Sequence, residues 1–210
     1  MPQYNLTPNQ SIEENYANGL LPQRNESQFW YSDTSSRSEL ENLHLSSENR
    51  RIINKTSDFS FEIVPLKDFS FTPKIQKTIY SWIKKLDWTF PISSVKTIFT
   101  NHIFNYLYIW KNKSEEIIAY SVCYFSKNLS HIAYVFYDPK YSRENLPIRL
   151  VLQVIIDSSD KNLKYCYLGR FSLDTGFYKR NMPDFEYFKD GKWISFQKLT
   201  VPRPVKGEVR

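Results

Sequence analysis

From residue 59 onward, the order of apolar and polar residues predicts a regular alternation of strands and helices. Short apolar or alternating runs predict strands at 59–65, 105–110, 116–125, 131–137 and 164–168. Apolar residues at helical spacing predict helices at about 73–86, 92–103 and 143–157. A short helix at 172–179 and a hairpin that turns at Asp190-Gly191 complete the pattern. Together these elements indicate an α+β domain with a mixed central sheet and flanking helices.

The first 57 residues have a weaker pattern. Ser11 and Glu14 have the spacing of a capping box, which predicts a short helix that ends at Asn18-Gly19. A second helix is predicted over 45–55, and the hydroxyl-rich segment 32–38 is predicted to be a loop. We therefore expect a small N-terminal extension at 1–57, a main domain at 58–199 and a mobile tail at 200–210.

Two of the predicted strands, 131–137 and 164–168, are joined by a helix and form a βαβ unit. In open α/β sheets, ligands bind beyond the carboxyl ends of such strands. Asp138 follows the first strand and Gly169-Arg170 follows the second. The sequence therefore predicts a functional site where these two strands end.

Charge is unevenly distributed along the chain, whose net charge is +6. Residues 1–60 contain five basic and eight acidic side chains, a net charge of −3, whereas the remainder contains 23 basic and 14 acidic side chains, a net charge of +9. A basic main domain favours an anionic partner such as RNA, a phosphorylated cofactor or an acidic peptide. Charge alone does not select one of these.

Cysteine and histidine usage indicates the compartment and the absence of a metal site. Cys123 and Cys166 both lie in apolar strands, which predicts buried thiols in a reducing, cytoplasmic protein. The N-terminus has no signal-peptide pattern, and no apolar run approaches the ~18 residues of a membrane span. His44, His102 and His131 do not have metal-ligand spacing, so we expect neither a metal nor a membrane partner.

The order of the elements is that of the GNAT acyltransferase fold, in which two central strands splay apart and the acyl donor inserts between them. GNAT acetyltransferases bind the pyrophosphate of CoA at a glycine-rich turn and helix N-terminus. The corresponding turn here, 138–145, contains no glycine, and Pro139 lacks an N–H donor. This argues against a CoA thioester bound in the usual way, although an N-acyltransferase with a CoA-type donor remains an alternative.

Five short motifs occur in one order along the second half of the chain: Phe136-Tyr137-Asp138-Pro139, Tyr167-Leu168-Gly169, Tyr178-Lys179, Pro183-Asp184-Phe185-Glu186 and Gly191-Lys192-Trp193. With them, the sequence resembles the aminoacyl-tRNA–protein transferases, the arginyl- and leucyltransferases that add an amino acid to a protein N-terminus. The segments that contain Arg37 and Arg50-Arg51 are also similar to that family. The chain differs from it in having no cysteine before Cys123, and Arg170-Phe171-Ser172 where the family has Tyr-Trp-Ile.

The resemblance implies a GNAT-like C-terminal domain that uses aminoacyl-tRNA as co-substrate and no other cofactor. Its partner is a protein or peptide N-terminus, which the added residue tags for degradation. Asp138 and Tyr137 are the expected catalytic residues. Asp138 is expected to anchor the amine or accept its proton, and the alternative is that Asp138 only caps the next helix. The expected substrate- and tRNA-binding residues are Arg37, Arg50, Arg51, Tyr167, Gly169, Arg170, Tyr178 and Lys179.

Two further interpretations stay open at this point. Tyr120, Tyr134 and Tyr137 are candidate cleft-lining residues, although tyrosines on strands more often belong to the core. The chain is also compatible with a non-catalytic relative that binds RNA or a peptide and has kept the fold.

Overall fold

The computed structural model describes residues 11–26, 28–100, 102–172 and 176–196. The strands in this part of the chain are β1 (Leu20–Pro22), β2 (Trp30–Ser32), β3 (Ser35–Glu39), β4 (Ser60–Pro65), β5 (Tyr106–Lys111), β6 (Ile117–Phe125), β7 (Leu129–Tyr137), β8 (Tyr165–Arg170), β9 (Phe185–Lys189) and β10 (Lys192–Ser195). The α-helices are α1 (Ile12–Ala17), α2 (Ser47–Lys55), α3 (Pro73–Lys85), α4 (Ile92–Thr100) and α5 (Leu146–Asp160). Short 3₁₀ helices lie at Leu66–Asp68, Pro139–Glu144 and Phe177–Asn181.

One mixed sheet runs through the molecule in the order β10-β9-β3-β8-β7-β6-β5-β4. Strands β4 to β7 form antiparallel neighbours, while β7 and β8 are parallel, as a βαβ crossover through α5 requires. The strands β1 and β2 form a separate two-stranded sheet. The prediction of an α+β, GNAT-like fold with a mixed central sheet and flanking helices is confirmed.

Alternation along β5 places the two hydrophobic cores on opposite faces of the sheet. Leu107 and Ile109 pack with α3 and α4, whereas Tyr108 and Trp110 pack with α2 and α5. Because successive side chains of a strand point to opposite faces, this one strand contributes to both cores. Cys123 and Cys166 are free and buried, as predicted.

Helix starts follow the predicted capping signals. The hydroxyls of Ser11, Ser46 and Thr72 each accept a hydrogen bond from the backbone N–H three residues later. The helix predicted from residue 143 instead begins at Leu146, because Asn145 has a φ of 63° and so interrupts the helical backbone. The short helix predicted at 172–179 is a 3₁₀ helix at Phe177–Asn181, and residues 173–175 lie outside the described residues, as does the tail at 200–210.

The prediction of a loop at 32–38 is wrong, because most of this segment is strand β3. It pairs antiparallel with β8 on one side and with β9 on the other. Ser35, Ser36 and Ser38 are fully buried. A strand made of small polar residues has no hydrophobic periodicity to reveal it, and its backbone is satisfied by the two neighbouring strands.

β3 also bears on how the chain is divided. Residues 35–39 belong to the predicted N-terminal extension, yet they lie inside the main sheet. The boundaries at 57 and 199 stay predictions about domain division. The main sheet is continuous only because β3, which comes before residue 57, joins β9 to β8.

Arg37 ties β3 to the end of the sheet. Its Nε lies 2.7 Å from a carboxylate oxygen of Glu186, and the side chain is 9% exposed. Its guanidinium carbon lies 3.6 Å from the ring centroid of Tyr165 and 4.0 Å from that of Trp193. These contacts give Arg37 a structural role, since its charge is paired and its plane is stacked.

Replacing Arg37 by methionine is expected to lower the free energy of unfolding by about 3 kcal/mol, because it leaves the Glu186 carboxylate, whose side chain is only 14% exposed, without its ionic partner. The measurement is urea denaturation of the purified variant.

Arg51→Met is the matched control. Arg51 also pairs with a glutamate, Glu48, at 2.5 Å, but the Arg51 side chain is 49% exposed. We expect no measurable loss of stability there. Equal losses in the two variants would contradict the structural role of Arg37.

Candidate functional site

Strands β7 and β8 pair over only three residues and then part. Leu129, Ser130 and His131 pair with Tyr165, Cys166 and Tyr167. Beyond these pairs β7 continues to Tyr137 and β8 to Arg170. The strands therefore leave a gap between their carboxyl ends, where the sequence predicts the site.

A bulge lies in each strand where the gap opens. On β7, Val122 pairs with Tyr134 and Cys123 with Ile132, so Ala133 is the extra residue. On β8, Ser36 pairs with Gly169 and Arg37 with Tyr167, so Leu168 is the extra residue. Bulges bend and twist a strand locally, which directs the two strand ends apart.

Gly169 allows the bulge on β8 because its φ is +75°, a conformation that other L-residues rarely adopt. A Cβ at this position would lie 3.6 Å from His131 Nε2 and 3.8 Å from Lys179 Nζ. The side chains of His131 and Lys179 therefore both approach the position that a Cβ would take at Gly169. This glycine is a residue that the sequence predicts for the site.

Lys179 binds the end of β8. Its Nζ donates to the carbonyl oxygens of Leu168 at 2.6 Å and Arg170 at 2.7 Å, on either side of Gly169. Burial lowers the pKa of this ammonium group from 10.5 to about 8. Lys179 therefore supplies the hydrogen bonds that these two carbonyl groups do not receive from β7.

His131 is the last residue of β7 that pairs with β8, and its side chain is 3% exposed. Nδ1 lies 2.7 Å from the Tyr16 hydroxyl, whereas Nε2 has no hydrogen-bond partner among the described residues. Burial, with the nearby charge of Lys179, lowers the pKa of the imidazole to about 3, so it is neutral at pH 7.

The tautomer of His131 follows from its partner. If Tyr16 donates its O–H to Nδ1, both groups are satisfied there and Nε2 carries the proton. The opposite arrangement leaves the buried Tyr16 proton unpaired as well as Nε2. We therefore assign an N–H donor to Nε2, directed toward Gly169.

A cavity of about 360 Å³ lies beside this gap. Its lining includes Arg24, Tyr31, Asp33, Tyr134 and Arg170. Tyr134 comes from β7 just past the bulge and Arg170 ends β8, while the others come from the N-terminal extension. The cavity is therefore built where the two strands part and is completed by residues from before residue 57.

The cavity combines one carboxylate with two guanidinium groups. Asp33 Oδ2 lies 3.0 Å from Arg170 Nε, and Asp33 Oδ1 accepts from the Thr34 N–H at 2.7 Å. Arg24 stacks on Phe90, with its guanidinium carbon 4.1 Å from the ring centroid. Such a set has the chemical groups to pair with an ammonium group, through Asp33, and with an anion, through the arginines.

The predicted catalytic residues Asp138 and Tyr137 lie at the end of β7. The Asp138 carboxylate accepts from the Lys140 N–H at 3.1 Å and lies 3.6 Å from Lys140 Nζ, the capping role that the sequence left as an alternative. Tyr137 is 8% exposed and packs edge-on against Trp88. The catalytic roles of both residues stay predictions.

The predicted binding residues fall into two groups. Gly169, Arg170 and Lys179 converge on the gap, and Tyr178 precedes Lys179 with a side chain that is 36% exposed. The others pack elsewhere: Tyr167 is buried against Tyr16, Arg37 is held by Glu186, Arg51 pairs with Glu48, and Arg50 donates to the Leu45 carbonyl. A ligand role for this second group stays a prediction.

Sequence reasoning missed Arg24, Tyr31 and Asp33 as cavity residues and considered His131 only as a metal ligand. Asp33 lies in a segment whose composition indicates a loop, and only the pairing of β3 with β8 brings it to Arg170. Tyr134 does line the cavity, as expected, whereas Tyr120 belongs to the buried core. No local signal in the sequence pairs Asp33 with Arg170.

Residues 67–192 match the family described as arginine-tRNA-protein transferase, C terminus. The chain belongs to this family. The match spans four of the five motifs completely and also Gly191-Lys192 of the fifth. A comparison with curated proteins gave no match.

Similar solved structures include a domain from Agrobacterium fabrum and a protein from Bacillus licheniformis. The C-terminal domain of a protein described as a lysylphosphatidylglycerol synthetase from Agrobacterium fabrum is 13% identical, with a TM-score of 0.47 over 66% of this chain and 46% of that chain. The L-PGS from Bacillus licheniformis is 12% identical, with a TM-score of 0.45 over 71% and 51%. This chain thus spans about half the length of either structure.

A GNAT-family acetyltransferase from Staphylococcus aureus Mu50 is also similar, at 17% identity and a TM-score of 0.40 over 67% of this chain and 94% of that chain. In the part of the chain that the structure describes, no helix has the length and apolar character to cross a membrane. Within the same residues, no cluster of three or more His, Cys, Asp or Glu side chains has the arrangement to hold a metal ion.

The buried neutral His131 gives a testable pH dependence. Its pKa is about 3 in the folded state and about 6.5 when unfolded, so the unfolded state binds more protons between these values. Stability therefore falls as pH decreases through this window. From pH 7 to pH 5.5, the free energy of unfolding of the wild type is expected to fall by about 1.3 kcal/mol more than that of His131→Asn.

Urea denaturation at the two pH values measures this difference. Asparagine keeps a polar group near Tyr16 but does not titrate, and His44 and His102 are present in both proteins. Parallel pH dependences of the two proteins would show that His131 is not the group responsible.

Proposed function

We propose that this chain transfers an amino acid from aminoacyl-tRNA to the α-amine of a protein N-terminus, in the cytoplasm, where charged tRNA is available. Membership in the arginine-tRNA-protein transferase family supports this proposal. The observation that carries it is the cavity where β7 and β8 part, in which the Asp33 carboxylate faces Arg170. The added residue then marks the acceptor protein for degradation, as the family resemblance implies.

The acceptor amine needs a carboxylate to hold it. An N-terminal amine has a pKa near 8, so a large fraction is ammonium at pH 7. The Asp33 side chain is 24% exposed and forms an ion pair with Arg170. An incoming ammonium group takes the place of the Arg170 guanidinium in this pair. Because the ester of aminoacyl-tRNA is already activated, holding the amine near its carbonyl carbon is the main task.

The donor requires an anion-binding surface. Arg24 and Arg170 line the cavity, and the chain after residue 60 carries a net charge of +9. Phosphate contacts of this kind give affinity that decreases with salt. The arginines are therefore suited to the phosphates at the 3′ end of the tRNA.

The turn after β7 does not favour a CoA donor. It forms the 3₁₀ helix at Pro139–Glu144, capped by the Asp138 carboxylate, and α5 begins only after Asn145. A carboxylate at the position where a pyrophosphate would approach repels it. This supports aminoacyl-tRNA over the CoA-type alternative.

The proposal predicts that a labelled amino acid moves from charged tRNA to a peptide. The assay uses a panel of aminoacyl-tRNAs, beginning with arginyl- and leucyl-tRNA, and peptides with acidic, basic or neutral first residues. Peptides with an acetylated N-terminus serve as the control and are expected to accept nothing. Salt-dependent tRNA binding without transfer to any peptide indicates a non-catalytic relative instead, and a rise in melting temperature with acetyl-CoA indicates a CoA enzyme.

Two matched carboxylate variants then locate the amine site. Asp33→Asn is expected to lower kcat/KM for the peptide by about 10²-fold, because the charge that holds the ammonium is lost. Asp138→Asn keeps a side-chain oxygen for the Lys140 N–H and is expected to change kcat/KM by less than about threefold. The reverse order of effects would favour the sequence-based assignment of Asp138.

A further inference from the structure

Two nitrogen donors, from Lys179 and His131, lie in the gap between β7 and β8 and are not part of the cavity lining. Lys179 uses two of its three ammonium protons on the Leu168 and Arg170 carbonyls. His131 Nε2 has no partner among the described residues, although its side chain is 3% exposed. An unpaired buried donor costs free energy, so this arrangement points to a ligand acceptor that is shared with Lys179.

We propose that Lys179 donates to the carbonyl oxygen of the aminoacyl ester and stabilises the oxyanion that forms when the amine attacks. This assignment rests on the proposed function and adds a catalytic residue to it. His131 faces the same side of Gly169, where the absence of a Cβ leaves room for the acyl carbonyl. It is the second donor to the same oxygen.

Arg170 connects this position to the amine site. Its carbonyl oxygen accepts from Lys179, while its guanidinium group pairs with Asp33. One residue therefore contacts both the group that binds the ester carbonyl and the group that binds the amine. The site for the ester carbonyl and the site for the amine therefore lie at the backbone end and the side-chain end of the same residue, Arg170.

The reaction balances without another reactant. The bound ammonium first releases one proton to solvent. The neutral amine nitrogen then forms a bond to the carbonyl carbon, and the π electron pair moves to the oxygen that Lys179 and His131 face. The pair then returns, the bond from carbon to the ribose 3′ oxygen breaks, and a proton from the amine is transferred to that oxygen. The products are an amide and an uncharged tRNA with a free 3′ hydroxyl.

Lys179 must be protonated for this role, and burial lowers its pKa to about 8. The titratable and charged groups around it are His131 on β7, Arg170 at the end of β8, and Tyr178 and Arg180 on its own 3₁₀ helix. His131 is already neutral above pH 3. Activity of the wild type should therefore fall above about pH 8 through loss of the Lys179 proton.

Three substitutions test the assignment. Lys179→Met is expected to lower kcat by about 10²- to 10³-fold, as the loss of one oxyanion donor does, with a small change in KM for the peptide. Lys179→Arg is expected to recover part of kcat and to lose the fall in activity above pH 8, because a guanidinium does not deprotonate there. Lys189→Met removes an exposed lysine at the end of β9 and is expected to keep wild-type activity.

A purely structural role predicts other results. If Lys179 only ties the 3₁₀ helix to β8, Lys179→Arg keeps the alkaline decrease of the wild type, and Lys179→Met loses activity only in proportion to its loss of folded protein, measured by its melting temperature. Either result overturns the assignment, as does wild-type kcat in Lys179→Met.

A binding measurement separates this inference from the proposed function. An amide-linked aminoacyl-adenosine is compared with the matching ether, which lacks the carbonyl oxygen. The wild type is expected to bind the amide about tenfold more tightly than the ether, and Lys179→Met to lose most of this preference and keep only the part that His131 contributes. If the wild type transfers no amino acid, the proposed function fails, while this comparison still decides whether Lys179 binds an acyl carbonyl. Equal binding of the two compounds by the wild type, or binding of neither, overturns the assignment of Lys179.

Discussion

The parting of β7 and β8 is the constraint on which the rest of the site depends. Two parallel strands in mid-sheet normally satisfy each other's backbone groups, and here they do so for only three residue pairs. The carbonyls that β8 leaves without a strand partner must be satisfied by other means. Lys179 supplies its ammonium to two of them, the carbonyls of Leu168 and Arg170, while the Gly169 carbonyl between them accepts from the hydroxyl of Ser36 on β3 at 2.8 Å. The sheet thus replaces a ladder of neutral hydrogen bonds by a cationic group at its centre.

Residues before position 57 contribute side chains to this site. Tyr16 fixes the orientation of His131, Asp33 holds Arg170, and Arg24 contributes the second guanidinium group of the cavity. Glu13 also binds the β6–β7 turn through Ser126 and Asn128, which lowers the pKa of its carboxyl group. The N-terminal segment and the motif-bearing half of the chain therefore form one chemical unit.

Much of this fold was predictable because its signals are local. Capping residues such as Ser11 and Thr72 start helices where expected, and the Asp190-Gly191 turn closes the last hairpin. The parting of the strands and the place of Gly169 and Lys179 also follow from the order of elements and from the motifs. β3 was not predictable, since buried serines have no hydrophobic period, and neither was the pairing of Asp33 with Arg170 across more than a hundred residues. Non-local pairing of polar residues leaves no local pattern in a single sequence.

The position of β3 has a consequence for how the chain reaches its folded state. This strand comes early in the sequence, yet both of its neighbours, β8 and β9, are synthesised more than a hundred residues later. The strand must remain unpaired until almost all of the chain exists, and β9 and β10 have no place in the sheet before it docks. Such long-range closure slows folding, and any fragment that begins after residue 40 leaves β8 and β9 as exposed edges, which are prone to pair with other chains.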